Sequence, residues 1–408
     1  MIEDTIRIKK NIKPAVIGLG YVGLPIFVRL NKKFKTLGYD NDKSRIIQLS
    51  NKKDFNKEFT SKDLELKKGS FFSNRYEELK KFNFYIITVP TPIYKNNVPD
   101  LRNLISVSNI LKKIIKKNDI IFFESTVYPG VTEKVCVPII EKGSGLKNNI
   151  DFYTGYSPER INPGDNNHSI EKINKIVAIN KKKLSISKIV YKNLAKNIIY
   201  SENIKEVEAS KVIENIQRDL NIGLMNEIYQ VCEKSDINFQ NVLNLAGSKW
   251  NFIKYNPGLV GGHCLPVDPY YFAWFAKKLG INTKIILSGR KTNNEMVKFT
   301  KKIILKRISK YKLNLKKIRV LLVGLTYKKN VADLRNSLSI KVFQSLKRRF
   351  YKFNCYDPLI SRTFKNKYSL IEKKDIKNFD VYIILTKHDS VKNLIQSMKN
   401  KKIIDIFS

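Results

Sequence analysis

Cys264 sits in the run Pro257-Gly258-Leu259-Val260-Gly261-Gly262-His263-Cys264-Leu265-Pro266-Val267-Asp268-Pro269-Tyr270-Tyr271. The thiol follows a Gly-Gly pair, and a carboxylate, Asp268, comes one helical turn later. Paired glycines remove side chains where another group must approach the backbone. A thiol placed there is open to an electrophilic carbon, as covalent catalysis requires. The plainer alternative, a small buried residue, suits the other three cysteines. Cys136, Cys232 and Cys355 lie in apolar patterns and are expected in cores.

A second constellation lies near the N-terminus. Gly18-Leu19-Gly20-Tyr21-Val22-Gly23 follows the apolar run Ala15-Val16-Ile17 and leads into a helical apolar pattern over residues 24–30. A second short strand ends at Gly38-Tyr39-Asp40. Strand, Gly-rich turn, helix, strand and acid are the order that binds a dinucleotide. Gly18 makes the turn, Gly20 admits the pyrophosphate, and Gly23 lets helix and strand pack closely. The helix N-terminus offers free N–H groups to the phosphates. Asp40 suits the ribose 2′-hydroxyl and repels a 2′-phosphate, so NAD is expected over NADP.

These residues need elements to hold them. The first half alternates strands and helices, as an open α/β sheet does. Strands are expected at Phe84-Tyr85-Ile86-Ile87-Thr88-Val89, at residues 119–123 and at Phe152-Tyr153-Thr154. They end at Pro90-Thr91-Pro92, Glu124-Ser125-Thr126 and Ser157-Pro158-Glu159-Arg160. Ligands collect at the carboxyl ends of such strands. Thr88, Thr91, Ser125, Thr126 and Glu159 are therefore expected to share one crevice with the Gly-rich turn. The period then becomes helical. A long helix is expected over 204–234, and others over 268–279 and 293–313. The last part repeats the first. Ile318-Arg319-Val320-Leu321-Leu322-Val323-Gly324 resembles the opening strand, and Cys355-Tyr356-Asp357 parallels Tyr39-Asp40. Gly324-Leu325-Thr326-Tyr327-Lys328 lacks the full glycine fingerprint, so a different nucleotide-like ligand is expected there, or none. The predicted fold is α/β, with two Rossmann-like doubly wound parallel-sheet domains joined by a central helical domain. The expected domains are 1–200, 201–314 and 315–408.

The chain has 408 residues, 42% of them hydrophobic, enough for several cores. Lys and Arg number 77 against 36 Asp and Glu, a formal charge of +41. The lysines spread along the whole chain, among many asparagines and isoleucines. That pattern is a composition bias rather than a binding stripe, and no nucleic-acid function is expected. The four cysteines lie far apart without metal-ligand spacing, so no metal is expected. No apolar run reaches membrane-spanning length, and no membrane insertion is expected. A cytoplasmic, reducing location suits a working thiolate.

Together these motifs resemble the UDP-glucose/GDP-mannose dehydrogenase superfamily, in its UDP-N-acetylhexosamine 6-dehydrogenase branch. The resemblance runs from about Ile12 to the C-terminus. It is carried by the Gly18 turn, Val89-Pro90-Thr91-Pro92 and Glu124-Ser125-Thr126. Further motifs are Ser157-Pro158-Glu159-Arg160-Ile161-Asn162-Pro163-Gly164-Asp165, Glu208-Ala209-Ser210-Lys211 with Asn215, the Cys264 run, and the segment from Gly324 to Arg335. The resemblance implies oxidation of C6 of a nucleotide sugar from alcohol to carboxylate with two NAD, through a Cys264 thiohemiacetal and thioester. It implies surface-polysaccharide precursor synthesis and a homodimer built on the 204–234 helix.

By the same resemblance, Lys211 and Asn215 lie one turn apart and serve the C6 oxyanion. Asp268 and Thr126 position a proton-relaying water, and Glu159 is the base that hydrolyses the thioester. A bare helix-capping role is the plainer reading of Glu159. NAD contacts are implied at Gly18, Gly20, Tyr21, Val22, Gly23, Asp40, Arg45, Thr91 and Thr126. UDP-sugar contacts are implied at Arg160, Ile161, Lys211, Asn215, Arg218, Gly261, Tyr327, Lys328 and Arg335.

UDP-glucose members of the family carry Ser-Pro-Glu-Phe-Leu and Cys-Leu-Pro-Lys-Asp. Here Arg160-Ile161 replaces Phe-Leu, and Val267 replaces the lysine. UDP-N-acetylglucosamine or UDP-N-acetylgalactosamine is thus the expected substrate, and one stereocentre leaves the two unseparated. Leu265-Pro266 retains part of the UDP-glucose wording, so UDP-glucose is the alternative. Ser248 and Trp250 stand where N-acetylmannosamine enzymes carry basic or imidazole groups. A single-step β-hydroxyacid dehydrogenase is a more distant alternative, which neither Cys264 nor the C-terminal repeat supports.

Overall fold

The computed structural model describes residues 11–56, 58–160, 173–396 and 401–407. The chain divides into two compact units, Met1–Ile213 and Glu214–Ser408.

The first unit is built on eight strands: β1 (Pro14–Ile17), β2 (Leu37–Tyr39), β3 (Phe71–Ser73), β4 (Phe84–Ile87), β5 (Ile120–Phe123), β6 (Tyr153–Tyr156), β7 (Asn174–Ile179) and β8 (Asn197–Ser201). Their order is β3-β2-β1-β4-β5-β6-β7-β8. Every neighbouring pair is parallel except β6 and β7. Strands β1, β4 and β5 are buried along their whole length. They read as unbroken apolar runs because helices cover both faces of a parallel sheet. The helices are α1 (Gly23–Asn31), α2 (Lys43–Ser50), α3 (Arg102–Leu111), α4 (Val137–Ser144) and α5 (Leu184–Tyr191). Strand order reverses at β1, which lies between β2 and β4, so a crevice opens beyond their carboxyl ends.

Helix α6 (Ile204–Lys234) begins in the first unit and continues into the second, over the predicted span. The second unit adds α7 (Phe239–Ala246), α8 (Asp268–Lys278) and α9 (Lys284–Ser309). It then forms a parallel sheet of β9 (Arg319–Val323), β10 (Lys352–Tyr356), β11 (Val381–Ile384) and β12 (Lys402–Asp405), in the order β10-β9-β11-β12. Helix α10 (Leu338–Leu346) covers it. Met296, Ile303, Ile304 and Ile308 of α9 join Val320, Leu322, Val342 and Phe343 in one core.

These are the two expected Rossmann-like sheets, with helical chain between them in sequence. The expected 293–313 helix is corrected. It starts earlier, at Lys284, and ends earlier, at Ser309. Gly289 lies inside α9 where a Cβ would meet Leu220 of α6 at 2.4 Å. The glycine is there for close helix packing. Cys136, Cys232 and Cys355 are buried, and Cys264 is partly exposed. Among the described residues no helix is long and apolar enough to cross a membrane.

Candidate functional site

The Gly-rich turn joins β1 to α1 in the first unit. Gly18 has φ of +95°, which L side chains rarely adopt. A Cβ on Gly23 would lie 1.8 Å from the Gly18 carbonyl oxygen, so helix and turn meet only through glycine. Thr88, just past β4, donates its hydroxyl to the Gly18 carbonyl at 2.7 Å. Asp40 accepts the Leu19 amide on Oδ2 at 2.7 Å and the Asp42 amide on Oδ1 at 3.0 Å. Its half-buried carboxylate lines a cleft of about 150 Å³ with Gly18, Val89, Pro90 and Asn103. The carboxylate thus braces the turn and still faces the cleft, as an acceptor for a ribose must. Arg45 works from behind. Its Nε donates to the Leu19 carbonyl at 2.9 Å, and its Nη1 pairs with Asp54 at 2.9 Å. Tyr21 and Val22 are half-buried on the turn. These residues fit a dinucleotide.

The loops after β4, β5 and β6 are tied to one another. Thr91 donates its hydroxyl to the Thr126 carbonyl at 2.7 Å, and Ser125 donates to the Val89 carbonyl at 2.6 Å. Tyr156 donates to the Ser125 carbonyl at 3.2 Å. Glu159 is buried, and its Oε1 accepts the Arg160 amide at 2.6 Å. Arg160 donates to the Asn174 carbonyl at 3.1 Å. Ile161 lies outside the described residues, as do Asn162, Pro163, Gly164 and Asp165. On α6, Glu208 accepts the amides of Gly130 and Thr132, so it holds the chain that follows Thr126. Lys211 is buried on the same helix and makes no ion pair among the described residues of its unit.

In the second unit, Cys264 lies just ahead of α8. Its carbonyl accepts the amides of Val267 and Asp268 at 2.9 Å each. The helix N-terminus beside it favours negative charge. Asp268 is buried and accepts the Asn215 side-chain amide at 2.5 Å. The glycine pair presses against the loop after β9. Gly262 has φ of +91°, and a Cβ there would lie 2.8 Å from the Tyr327 ring. A Cβ on Gly261 would lie 2.7 Å from Tyr327 as well. Gly262 donates its amide to the Arg335 carbonyl at 3.2 Å, and Asn336 donates to the Gly262 carbonyl at 3.0 Å. The thiol loop is therefore clamped by the Tyr327-to-Asn336 loop. Arg335 forks onto Asp333, with its closest contact at 2.7 Å. Lys328 is half-buried on the same loop, and Arg218 is exposed on α6.

The C-terminal sheet reuses the acid of the first domain differently. Asp357 follows β10 as Asp40 follows β2. Its Oδ2 accepts the amides of Leu325 at 2.8 Å and Thr326 at 3.1 Å and faces His388 Nε2 at 3.3 Å. Its Oδ1 accepts the Leu359 amide at 3.0 Å. The hydrogen bond from His388, with those from the Leu359 and Leu325 amides, holds the carboxyl below the usual carboxylate range in spite of burial. Asp357 is buried with both oxygens engaged, whereas Asp40 lines a cleft. His388 Nδ1 accepts the Asn330 amide at 2.9 Å and so anchors the Lys328 loop.

Family comparison agrees with this division of labour. Three models of one family match in succession: its NAD binding domain over residues 12–195, its central domain over 205–295 and its UDP binding domain over 321–408. The chain belongs to the UDP-glucose/GDP-mannose dehydrogenase family. This dehydrogenase is NAD-dependent and acts on a nucleotide sugar. It is 40% identical to the UDP-N-acetyl-D-glucosamine 6-dehydrogenase of Salmonella typhi, over 94% of this chain and 91% of that protein. It is 41% identical to the protein of the same name from Pseudomonas aeruginosa, over 86% of this chain and 84% of that one. Among solved structures, the UDP-D-ManNAc dehydrogenase of Pyrococcus horikoshii matches with a TM-score of 0.86 at 27% identity, covering 96% of this chain and 93% of that one.

The dehydrogenase also holds groups that sequence reasoning passed over. Lys175, Tyr191, Asp219, Arg290 and His388 are all buried. Arg290 donates to Asp219 at 2.6 Å and to the Leu265 carbonyl at 3.3 Å, next to the thiol. With 77 Lys and Arg in the chain, no single cation stands out in sequence. Arg290 shares its helix with Lys284, Lys291, Lys298, Lys301, Lys302, Lys306 and Arg307, so no local signal marks it as the buried one.

Proposed function

We propose that this dehydrogenase oxidises C6 of a UDP-N-acetylhexosamine, UDP-N-acetylglucosamine or UDP-N-acetylgalactosamine, to the uronic acid. Bound NAD supplies the hydride acceptor, one molecule for each of two oxidations. Lys211 and Asn215 support the C6 oxygen as its proton leaves, the Lys211 ammonium by charge and Asn215 by a hydrogen bond. Asp268 and Thr126 hold the water that carries the proton away. The Cys264 thiolate then adds to the C6 aldehyde, and a thiohemiacetal forms. Loss of the second hydride leaves a thioester. Glu159 takes a proton from water, the resulting hydroxide bonds to the carbonyl carbon, and the carbon–sulfur bond breaks. Cys264 leaves as thiolate. Covalent capture keeps the aldehyde bound while NADH is exchanged for NAD. Arg160, Ile161, Arg218, Gly261, Tyr327, Lys328 and Arg335 bind the UDP-sugar, the cations at its diphosphate. The product serves surface-polysaccharide synthesis from the cytoplasm, where thiols stay reduced.

The observation that carries this proposal is the buried Asn215–Asp268 pair set one turn beyond a partly exposed thiol. The relatives named for UDP-N-acetyl-D-glucosamine support the choice of sugar, together with Val267 after Leu265-Pro266. The test measures NADH absorbance against product mass with UDP-N-acetylglucosamine, UDP-N-acetylgalactosamine and UDP-glucose in parallel. Two NADH per N-acetylhexosamine are expected, with little free aldehyde. One NADH per sugar would remove the thioester step. UDP-glucose preferred by about tenfold, or about 1.4 kcal/mol, would overturn the sugar.

We propose further that the dehydrogenase is a homodimer paired along α6. Ile213, Leu224 and Val231 on that helix are exposed apolar residues. A two-fold pairing would bury them. Light scattering at micromolar protein should give twice the chain mass, and the single-chain mass would refute the pairing.

A further inference from the structure

Lys175 is the second residue of β7 and is fully buried. Its Nζ donates to Glu124 Oε2 at 2.7 Å and reaches Glu159 Oε2 at 3.5 Å. The three side chains are 1%, 0% and 9% exposed, respectively. Tyr191 closes the other Glu124 oxygen with its hydroxyl at 2.7 Å, and its ring lies 5.8 Å from Lys175 Nζ.

Strand register creates the cluster. β6 and β7 pair antiparallel, with Gly155 opposite Ile179 and Tyr156 opposite Ala178. The same register carried onward sets Lys175 across from Glu159. β5 runs beside β6 with Phe123 opposite Tyr156, so Glu124 emerges at the same level.

Two carboxylates share one ammonium here. Burial pushes the Glu124 carboxyl up, and Lys175 opposes that push. Burial works against the Lys175 charge, yet the two carboxylates hold its pKa above the ordinary lysine value. Without the cation, two carboxylates this close would not both ionise. The cation is shared unequally. Glu124 has the short contact and the tyrosine, whereas Glu159 has the long contact. A lysine serving only to close the sheet would need one carboxylate.

We propose that Lys175 is a positioning residue for thioester hydrolysis, aiming the Glu159 carboxylate while Glu124 and Tyr191 hold Lys175 in place. This rests on Glu159 being the hydrolytic base. The water proton moves to Glu159, hydroxide adds to the thioester carbon, Cys264 departs as thiolate, and Glu159 returns the proton to solvent. Lys175 exchanges no proton.

The test is acid quench of turning-over enzyme, intact-protein mass spectrometry for sugar bound to Cys264, and stopped-flow NADH. Lys175→Met should form the two NADH of the first turnover at near wild-type rate, then turn over at least about tenfold more slowly. The fraction of enzyme carrying the adduct should rise severalfold. Adding Glu124→Gln to Lys175→Met removes the competing charge and should restore part of the turnover, which a merely structural lysine would not allow. Lys175→Gln, which keeps a donor in place, carries the test if Lys175→Met does not fold. Glu159→Gln separates the two assignments. If it accumulates adduct and the Lys175 variants do not, the role of Lys175 falls alone. If it accumulates none, the base assignment falls, and the role of Lys175 with it. A double variant no faster than Lys175→Met also overturns the proposal.

Discussion

Asn215 donates its side-chain amide to Asp268 Oδ2 at 2.5 Å, and both residues are buried. The bond joins α6 to the first turn of α8, whose N-terminus follows the thiol. Asp268→Asn replaces an acceptor with a group that can face Asn215 with the wrong end. We expect kcat to fall by about two orders of magnitude while KM for the UDP-sugar changes little, the pattern of a lost contact made in the transition state. A matching rise in KM with unchanged kcat would show ground-state binding instead.

Cys264→Ser should abolish full turnover and leave binding of NAD and UDP-sugar intact. A hydroxyl is the weaker nucleophile near neutral pH. Calorimetric titration checks binding, and steady-state NADH checks turnover. Activity within a few-fold of wild type would remove the covalent step.

Asp40 should make the enzyme prefer NAD strongly over NADP. Asp40→Asn keeps an acceptor for the Leu19 amide and removes the charge that repels a 2′-phosphate. The NADP/NAD ratio of kcat/KM is expected to rise at least about tenfold, or about 1.4 kcal/mol. An unchanged ratio would mean that the carboxylate only braces the turn.

Glu208 gives a pH signature. Burial pushes its carboxyl up to about 7, against the hydrogen bonds from Thr132 and Gly130. An ordinary glutamate carboxyl titrates at 4.5, so between these values the folded chain holds a proton that the unfolded chain has released. Its contribution to stability is complete below the lower value and is lost as pH rises through the upper one. Asp219, pushed up to about 6 by burial, acts in the same direction. Glu208→Gln should lie below wild type in Tm at about pH 5, by a backbone hydrogen bond of about 1 kcal/mol. The gap should narrow by about pH 8. Thermal unfolding at the two pH values checks this, and a gap that widens with pH would refute it.

Local pattern carried most of the architecture. Strands β1, β4 and β5 are unbroken apolar runs because they are buried on both faces, and α6 shows its period from Val207 to Leu220. The Gly18 turn and the Cys264 run were legible because close approach demands glycine at set spacings. Helix α9 starts at Lys284 and not at 293, since Gly289 inside its first turns packs against Leu220, a contact that no local pattern reveals.

Sequence alone determined the two repeated sheets, the dinucleotide turn, the glycine-flanked Cys264 run and the family resemblance, since each rests on residue types a few positions apart. The tertiary structure decided what each shared element does. Asp40 and Asp357 occupy equivalent places, but His388 and the Leu325, Thr326 and Leu359 amides occupy Asp357 while Asp40 still faces a cleft. It also singled out Lys175 among 77 cations. Burial beside two carboxylates gives that charge its importance, and burial is set by strands distant in sequence.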